Sequence, residues 1–285
     1  MQVAKVTVRG RVAVAVVALV GAALGPAGAA VAESAPPDQA PQIVPFTGLT
    51  GPQDVAVDPE GATYVADTGN DRIVKITAAG VQSTLAFTGL VDPAAVAVAA
   101  DGTVYVADTG NDRIVQLPAD GGAQSTVSFV GLTDPPDVVV DDLGTLYVAD
   151  TGNDRVRKRT VAGAQSTVGF TGIGVDGPSA VAVDRSRNVY AIDPANNRVL
   201  RVAAAGGAQT VLGFGFIVSG RGLAVDGAGT VYLSDDFDNT VVGLPAGGQP
   251  SDVFLVNFLY LDHPSGLAVD ERGDVLVADT AKDRV

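Results

Sequence analysis

Aspartate and arginine residues recur along the chain in pairs, five residues apart. The pairs are Asp67/Arg72, Asp108/Arg113, Asp150/Arg155, Asp193/Arg198 and Asp279/Arg284. A carboxylate in such a pair could bind a metal ion or take part in catalysis, or it could form an ion pair across a turn. An active site needs one asymmetric set of groups, whereas here one pair occurs in each repeated unit. We therefore interpret the pairs as structural ion pairs, and we expect one to be missing where Thr240 replaces the arginine.

A second set of aspartates also recurs once per repeated unit, and it does not indicate a metal site. Calcium sites need several oxygen atoms that converge on one point, and the set has one aspartate per unit. The only histidine is His263, and acid–base catalysis and zinc sites mostly use several histidines. The sequence therefore predicts no metal site, no cofactor and no enzymatic activity, with His263 in a surface turn. The aspartates in question are Asp58, Asp141, Asp184, Asp226 and Asp270.

These residues lie in repeats that extend through the chain after residue 42. The segment Val65–Arg72 returns unchanged at Val106–Arg113 and at Val148–Arg155, and three weaker copies follow. A second element, Pro-x-x-Val-Ala-Val-Asp at Pro52–Asp58, recurs every 41 to 44 residues. A period in the low forties with several short strands per unit is typical of propeller blades. The fold class predicted is all-β, a six-bladed β-propeller.

Each unit contains four short runs of residues that favour strands, separated by Gly, Asp and Pro. The chain begins the pattern with a fourth strand, at residues 43–46, and ends within a third strand, at Arg284 and Val285. We therefore expect the N-terminal strand to complete the sixth blade beside the C-terminal strands, which removes free sheet edges.

The first 32 residues resemble a secretory signal peptide. Lys5 is followed by two arginines, an uncharged apolar run and the small residues at 30–32 that a signal peptidase needs. The expected organisation is a signal peptide at 1–32, a Pro-rich linker at 33–42 and the propeller at 43–285. An uncleaved membrane anchor is the alternative reading of the leader. After cleavage we expect no membrane insertion, and the location is secreted, extracellular or associated with the cell envelope.

The composition limits the class of partner. The chain has a net charge of −14 and no cysteine, so it repels nucleic acid and cannot form disulfides. A phosphate backbone requires a surface of clustered lysines and arginines, which the acidic balance of the chain opposes. We expect a monomer that binds a protein or a cell-envelope ligand and no nucleic acid.

The Pro-x-x-Val-Ala-Val-Asp element and the Tyr-Val-Ala-Asp-Thr-Gly-Asn-x-Arg element resemble the consensus of the NHL-repeat family over residues 43–285. With the Phe-Thr-Gly-Leu element at 46–49, the chain is most similar to the extracellular sensor domain of a mycobacterial transmembrane Ser/Thr kinase, although it carries no kinase motif. The resemblance implies a non-enzymatic, sensor-like propeller that presents one face to a ligand. The alternative is a propeller hydrolase or lyase of the lactonase type, with a metal ion at the channel mouth.

The positions where the repeat fails are the candidate ligand-binding residues. The glycine of Phe-Thr-Gly-Leu becomes Phe216 after the fourth unit and Tyr260 after the fifth. Arg221 follows the glycine that replaces the fifth proline, and His263 precedes the sixth proline. Aromatic and arginine residues are the usual anchors of binding surfaces. We therefore predict that Phe216, Arg221, Tyr260 and His263 bind a ligand on one propeller face, against the alternative that the bulky residues only fill an irregular gap.

Overall fold

The computed structural model describes residues 3–7, 41–170, 174–207, 209–215, 219–258 and 260–282. They form 24 β-strands in six four-stranded antiparallel sheets. Two strands precede the repeats, β1 (Val3–Thr7) and β2 (Gln42–Val44). Blade one contains β3 (Pro52–Val57), β4 (Thr63–Asp67), β5 (Arg72–Ile76) and β6 (Gln82–Thr84). Blade two contains β7 (Pro93–Val98), β8 (Val104–Asp108), β9 (Arg113–Leu117) and β10 (Ser125–Val127).

The remaining strands continue the same order. Blade three contains β11 (Asp137–Val140), β12 (Leu146–Asp150), β13 (Arg155–Arg159) and β14 (Gln165–Thr167). Blade four contains β15 (Val181–Val183), β16 (Val189–Asp193), β17 (Arg198–Val202) and β18 (Thr210–Val211). Blade five contains β19 (Gly220–Val225), β20 (Val231–Asp235), β21 (Thr240–Leu244) and β22 (Phe254–Val256). The chain then forms β23 (Pro264–Val269) and β24 (Asp274–Asp279).

The five blades are contiguous in sequence, and the sixth sheet combines both ends of the chain. Its strand order is β2-β1-β24-β23. The predicted all-β propeller is therefore confirmed, and its N-terminal strand lies in the sixth sheet as expected, at Gln42–Val44 rather than at 43–46. The neighbour of β2 is β1, however, in which Val3 pairs with Ala278 and Thr7 with Asp274. The third strand expected at Arg284 and Val285 lies outside the described residues.

The sequence of β1 explains why it can lie in this position. Gln-Val-Ala-Lys-Val-Thr at residues 2–7 follows the third-strand sequence Arg-Ile-Val-Lys-Ile-Thr at residues 72–77. The leader of residues 1–32 stays a prediction, and residues 3–7 within it form this strand. In the part of the chain that the structure describes, no helix has the length and apolar character needed to cross a bilayer.

Blade one shows how local sequence forms each hairpin. Asp58 accepts hydrogen bonds from the Ala62 N–H (2.7 Å) and the Tyr64 hydroxyl (2.9 Å), and Gly61 takes a positive φ of 82° to complete the turn. The next turn is a short 3-10 segment at Thr68–Asn70, and its left-handed residue is Asp71 (φ 51°). The fourth strand is short, because its pairing with β5 ends near Thr84.

The hydrophobic core is divided among the seams between neighbouring blades. Each of six clusters of buried residues joins two adjacent blades, as Ile73 and Val106 do between blades one and two. Val and Ala dominate these clusters, since small side chains allow twisted sheets to pack face to face. The first strands of all six sheets surround a central channel. The seams hold the blades rigidly, so the turns at the two ends of the channel are fixed.

Candidate functional site

One face of the propeller is formed by the turns between second and third strands and by the connections that lead from one blade to the next. In blade one, the buried carboxylate of Asp67 accepts hydrogen bonds from the Thr50 N–H (2.6 Å) and from Arg72 Nε (2.6 Å). The Arg72 Nη2 atom donates to the Gly48 carbonyl (2.7 Å). The aspartate and arginine therefore fasten the turn to the incoming connection. We call this arrangement the clasp, and the face that carries it the clasp face.

The clasp recurs in blades two, three and four, which confirms the structural interpretation of these pairs. We call blades one to three, which also keep the glycine of this turn, the regular blades. Nε–Oδ2 distances of 2.5 to 2.6 Å occur in four blades, at Asp67/Arg72, Asp108/Arg113, Asp150/Arg155 and Asp193/Arg198. The carboxylates are fully buried and the arginines are at most one-third exposed. Arg284, the fifth predicted partner, lies outside the described residues.

Glycine is required within the regular turn because the connection passes very close to it. The Gly69 N–H donates to the Thr50 carbonyl (2.9 Å), and a Cβ atom at residue 69 would lie 2.7 Å from that oxygen. A Cβ atom at Gly110 would clash in the same way with Val91, and one at Gly152 with Thr133. Blade four accommodates Ala195 at this position within a 3-10 turn of the same form, whereas a larger side chain demands a different turn.

Blade five has that different turn. Phe237 stands where the regular blades have Gly69, Gly110 and Gly152, and Thr240 stands where they have the arginine. The Asp236 N–H donates to the Ser219 carbonyl (3.1 Å), one residue earlier than in the regular blades. Asp235 caps the new turn by accepting the Phe237 N–H (3.0 Å). The Phe237 side chain projects from the face and is 69% exposed.

The connection after blade five carries a second aromatic residue in a glycine position. Tyr260 has a φ of 61°, like Gly48 (68°) and Gly89 (64°) in the equivalent positions. For a residue with a side chain, this left-handed conformation costs about 1 kcal/mol. The Tyr260 side chain is 76% exposed, and Lys282 Nζ lies 5.7 Å from the ring centroid. Packing in the core therefore does not account for this tyrosine.

Of the other predicted site residues, Phe216 lies outside the described residues. Arg221 and His263 both contact the turn of blade five. Arg221 reaches the channel mouth from β19, and its Nε donates to Asp236 Oδ2 (2.8 Å) in the turn of blade five. His263 is exposed, and its N–H donates to Asn239 Oδ1 (2.7 Å). That bond joins the connection that carries Tyr260 to the turn that carries Phe237. We call Arg221, Phe237, Tyr260 and His263 the aromatic sector.

Sequence reasoning missed Phe237, although its signal was present in the alignment of repeats. The residue replaces a glycine of the Asp-Thr-Gly-Asn element, which is the same kind of departure that identified Tyr260. The substitution at Phe237 was overlooked because the segment 233–240 resembles the repeat only weakly.

Sequence reasoning also missed two carboxyl groups in the channel wall. Asp54 and Asp137 occupy a position that is Ala or Gly in the other blades, and the channel encloses about 320 Å³. Asp54 accepts the Val96 N–H (2.9 Å) and Asp137 accepts the Val181 N–H (2.7 Å), so each binds the next blade. Burial raises the pKa of Asp137 to about 7. Burial, and then the charge of Asp137, raise the pKa of Asp54 well above its usual range.

The opposite face holds the second predicted set of aspartates, and their carboxylates already serve the turns. Asp58, Asp141 and Asp270 border the second mouth of the channel. Each accepts the N–H four residues later, as Asp270 does from Asp274 (2.9 Å). Among the described residues, no three His, Cys, Asp or Glu side chains are arranged to hold a metal ion.

Comparison with known proteins identifies the repeat and the fold. The family model for the NHL repeat matches residues 90–117 and 132–158. No curated protein sequence matches the chain. The solved structures that resemble it include the propeller in a nidogen/laminin complex, with a TM-score of 0.68 and 19% identity over 85% of this chain and 90% of that one.

Two lyases are also similar in structure. A virginiamycin B lyase from Staphylococcus aureus has a TM-score of 0.61 and 15% identity over 77% of this chain and 74% of that one. A streptogramin B lyase has a TM-score of 0.63 and 11% identity over 80% of this chain and 93% of that one. At these identities the likeness concerns the fold alone, on which both binding proteins and enzymes occur. The six-sheet architecture and the repeat match together make this chain a β-propeller that contains NHL repeats at residues 90–117 and 132–158.

Proposed function

We propose that the protein is a secreted, non-enzymatic, sensor-like propeller that binds a protein or cell-envelope ligand through the aromatic sector of its clasp face. The observation that carries the proposal is Tyr260, an exposed aromatic residue held in a left-handed conformation where the repeat has glycine. Backbone strain at a residue whose ring is not part of the core indicates a functional role. The chemistry of recognition, rather than stability, accounts for the tyrosine.

Two further observations support binding at this sector. Phe237 also replaces a glycine, and its turn is rebuilt so that the ring faces solvent. Exposed aromatic residues on a rigid support lose little conformational entropy when a ligand binds, which makes them effective anchors. The nidogen propeller, which is similar in fold, occurs in a complex with another protein.

The second candidate function is a lyase or hydrolase, and the fold of the two similar lyases favours it. In that case the channel would hold the reaction site, and Asp54 and Asp137 would act as proton carriers because their pKa values are raised. The aromatic sector has no part in that alternative, so the two functions can be separated by mutation.

Affinity capture from a bacterial cell-envelope extract tests the proposal. The purified chain should retain a ligand, and the double variant Phe237→Gly/Tyr260→Gly should lose it, while Asp54→Asn/Asp137→Asn should keep it. Metal analysis and an ester and lactone hydrolysis screen on the same samples test the alternative. Hydrolysis that disappears in the Asp54→Asn/Asp137→Asn variant, with no ligand retained by any form, would overturn the binding function.

A further inference from the structure

The polar groups around the two exposed rings narrow the chemistry of the ligand. Arg221 uses Nε to bind Asp236, and its Nη atoms have no acceptor among the described residues. His263 uses Nδ1 to contact Asp262 (2.9 Å), which leaves Nε2 for a ligand. The side chains of Arg221 and His263 are 56% and 62% exposed. The sector therefore offers two exposed aromatic rings with planar hydrogen-bonding groups beside them, and those groups are held in place by their contacts with Asp236 and Asp262.

A pyranose ring has matching features. One of its faces is rich in C–H groups and can stack on an aromatic ring, and its hydroxyls both donate and accept hydrogen bonds. A few oriented polar groups beside an apolar platform are typical of sites that fix a small ligand unit. We propose, on the basis of the binding function above, that the aromatic sector recognises a neutral glycan chain of the cell envelope.

The extent of the apolar surface favours a glycan over a protein partner. A stable protein interface buries about 1,200 Å² or more in total around an apolar centre. The large exposed apolar side chains that share this face with Phe237 and Tyr260 include Val91 and Val130. Those two lie across the channel, in the connections before blades two and three. Two separate rings suffice for one or two sugar units but form only a small centre for a protein interface.

The net charge of the chain favours a neutral glycan over an anionic one. The net charge is −14, and the clasp face carries exposed aspartates in the regular blades, such as Asp92 and Asp134. Like charges repel an acidic polymer at a distance. A neutral polymer meets no such barrier, and its binding should depend little on salt concentration.

Isothermal titration calorimetry of the full chain against cellohexaose, hexa-N-acetylchitohexaose and mannohexaose tests the inference. We expect at least one of these neutral oligosaccharides to bind, with similar affinity at low and high salt. Tyr260→Gly and Phe237→Gly should each weaken binding by about tenfold or more. Val130→Ala, an exposed apolar residue on the same face, is the matched control and should bind like the parent.

The glycine variants restore the residue of the repeat, so loss of binding cannot be attributed to unfolding if their melting temperatures equal or exceed that of the parent. Binding of an oligosaccharide that survives both glycine substitutions would overturn the glycan site. So would the absence of oligosaccharide binding while envelope capture of a protein still depends on Tyr260. That second result would leave the proposed binding function intact. If the chain neither binds an oligosaccharide nor captures an envelope ligand, both the glycan site and the binding function are rejected.

Discussion

Blades one to three and the sector formed by blades five and six use the same repeat for different ends. In the regular blades, the aspartate and the arginine of the second turn form the clasp, and glycine at residues 69, 110 and 152 lets the connection pass close by. In blade five the glycine and the arginine of that turn become Phe237 and Thr240. The regular blades thus gain stability from their turns, whereas blades five and six give up a clasp and tolerate strain to expose two aromatic rings. The comparison teaches that departures from the repeat, rather than the repeat itself, mark the candidate site.

The seams between blades show the same contrast. Thr68, Thr109 and Thr151 each donate a hydroxyl hydrogen bond to the carbonyl of the proline that opens the next blade, over 2.7 to 2.8 Å. Pro194 stands in the equivalent place in blade four and has no hydroxyl. Ser179 bonds to the Gly220 carbonyl there instead, over 3.1 Å. The seam leading into the aromatic sector is therefore joined differently from the regular seams.

Removing a clasp from a regular blade should have the largest effect. Asp108→Ala deletes a buried carboxylate that accepts bonds from Val91, Asn111 and Arg113, and it leaves the arginine without its partner. We expect a loss of about 3 kcal/mol in the free energy of unfolding, measured by urea denaturation. Asp238→Ala, an exposed aspartate in the turn of blade five, should change it by less than about 0.5 kcal/mol. Equal losses in the two variants would contradict the contrast between the regions.

The channel carboxyl groups should make the regular half sensitive to pH. The pKa of Asp137 in the folded protein is about 7, above the usual 3.8. The folded protein therefore binds more protons than the unfolded chain between about pH 4 and pH 7, and its stability falls as the pH rises through that window. Asp137→Asn should stabilise the protein by about 2 kcal/mol at pH 8 and by less at pH 5.

Thermal denaturation at both pH values measures this effect. Because the charge of Asp137 also raises the pKa of Asp54, the gains from Asp137→Asn and Asp54→Asn should not add in the double variant. A stabilisation by Asp137→Asn that is the same at pH 5 and pH 8 would mean that its charge is not the cause.

Converting the turn of blade five into a regular turn should stabilise the protein. The change replaces residues 236–240 with the sequence of residues 109–113 and so supplies both the glycine and the arginine. We expect a gain of about 1.5 kcal/mol in the free energy of unfolding, read from the midpoint of a urea titration. Thr240→Arg alone should gain less, because Asp235 already caps the altered turn through the Phe237 N–H. A destabilised graft would show that the surroundings of blade five require its own turn.

The smallest expected effect is the relief of strain at Tyr260. Tyr260→Gly should raise the free energy of unfolding by about 0.5 kcal/mol, since glycine accepts a positive φ without cost. Differential scanning calorimetry measures the change. Tyr64→Gly, in the buried second strand of blade one, is the opposing control and should be strongly destabilising. If Tyr260→Gly lowered stability by more than about 1 kcal/mol, the ring would be a packing element.

The fold could be predicted from the sequence because six copies of one pattern place the same strand-forming and turn-forming residues at the same spacing. It was sufficient for Tyr260 because an aromatic residue in a glycine position departs from that pattern. It did not place β1 in the sixth sheet, since the leader-like composition of residues 1–32 concealed a third-strand sequence. Asp54 and Asp137 escaped notice for a geometric reason. Only the closed ring shows that the third residue of Pro-x-x-Val faces both the channel and the next blade.

The composite sixth sheet has a consequence for the order of events during synthesis. Blades one to five consist of neighbouring residues, so each can form soon after it leaves the ribosome. The pairing of Val3 with Ala278 joins residues from opposite ends of the chain. In a chain that keeps residues 1–32, β1 must therefore wait for β24 before the two strands can pair. Until then the edge of β1 that pairs with β24 and the face of blade one that packs against the sixth sheet are exposed to solvent, and the protein is most prone to aggregation in this interval.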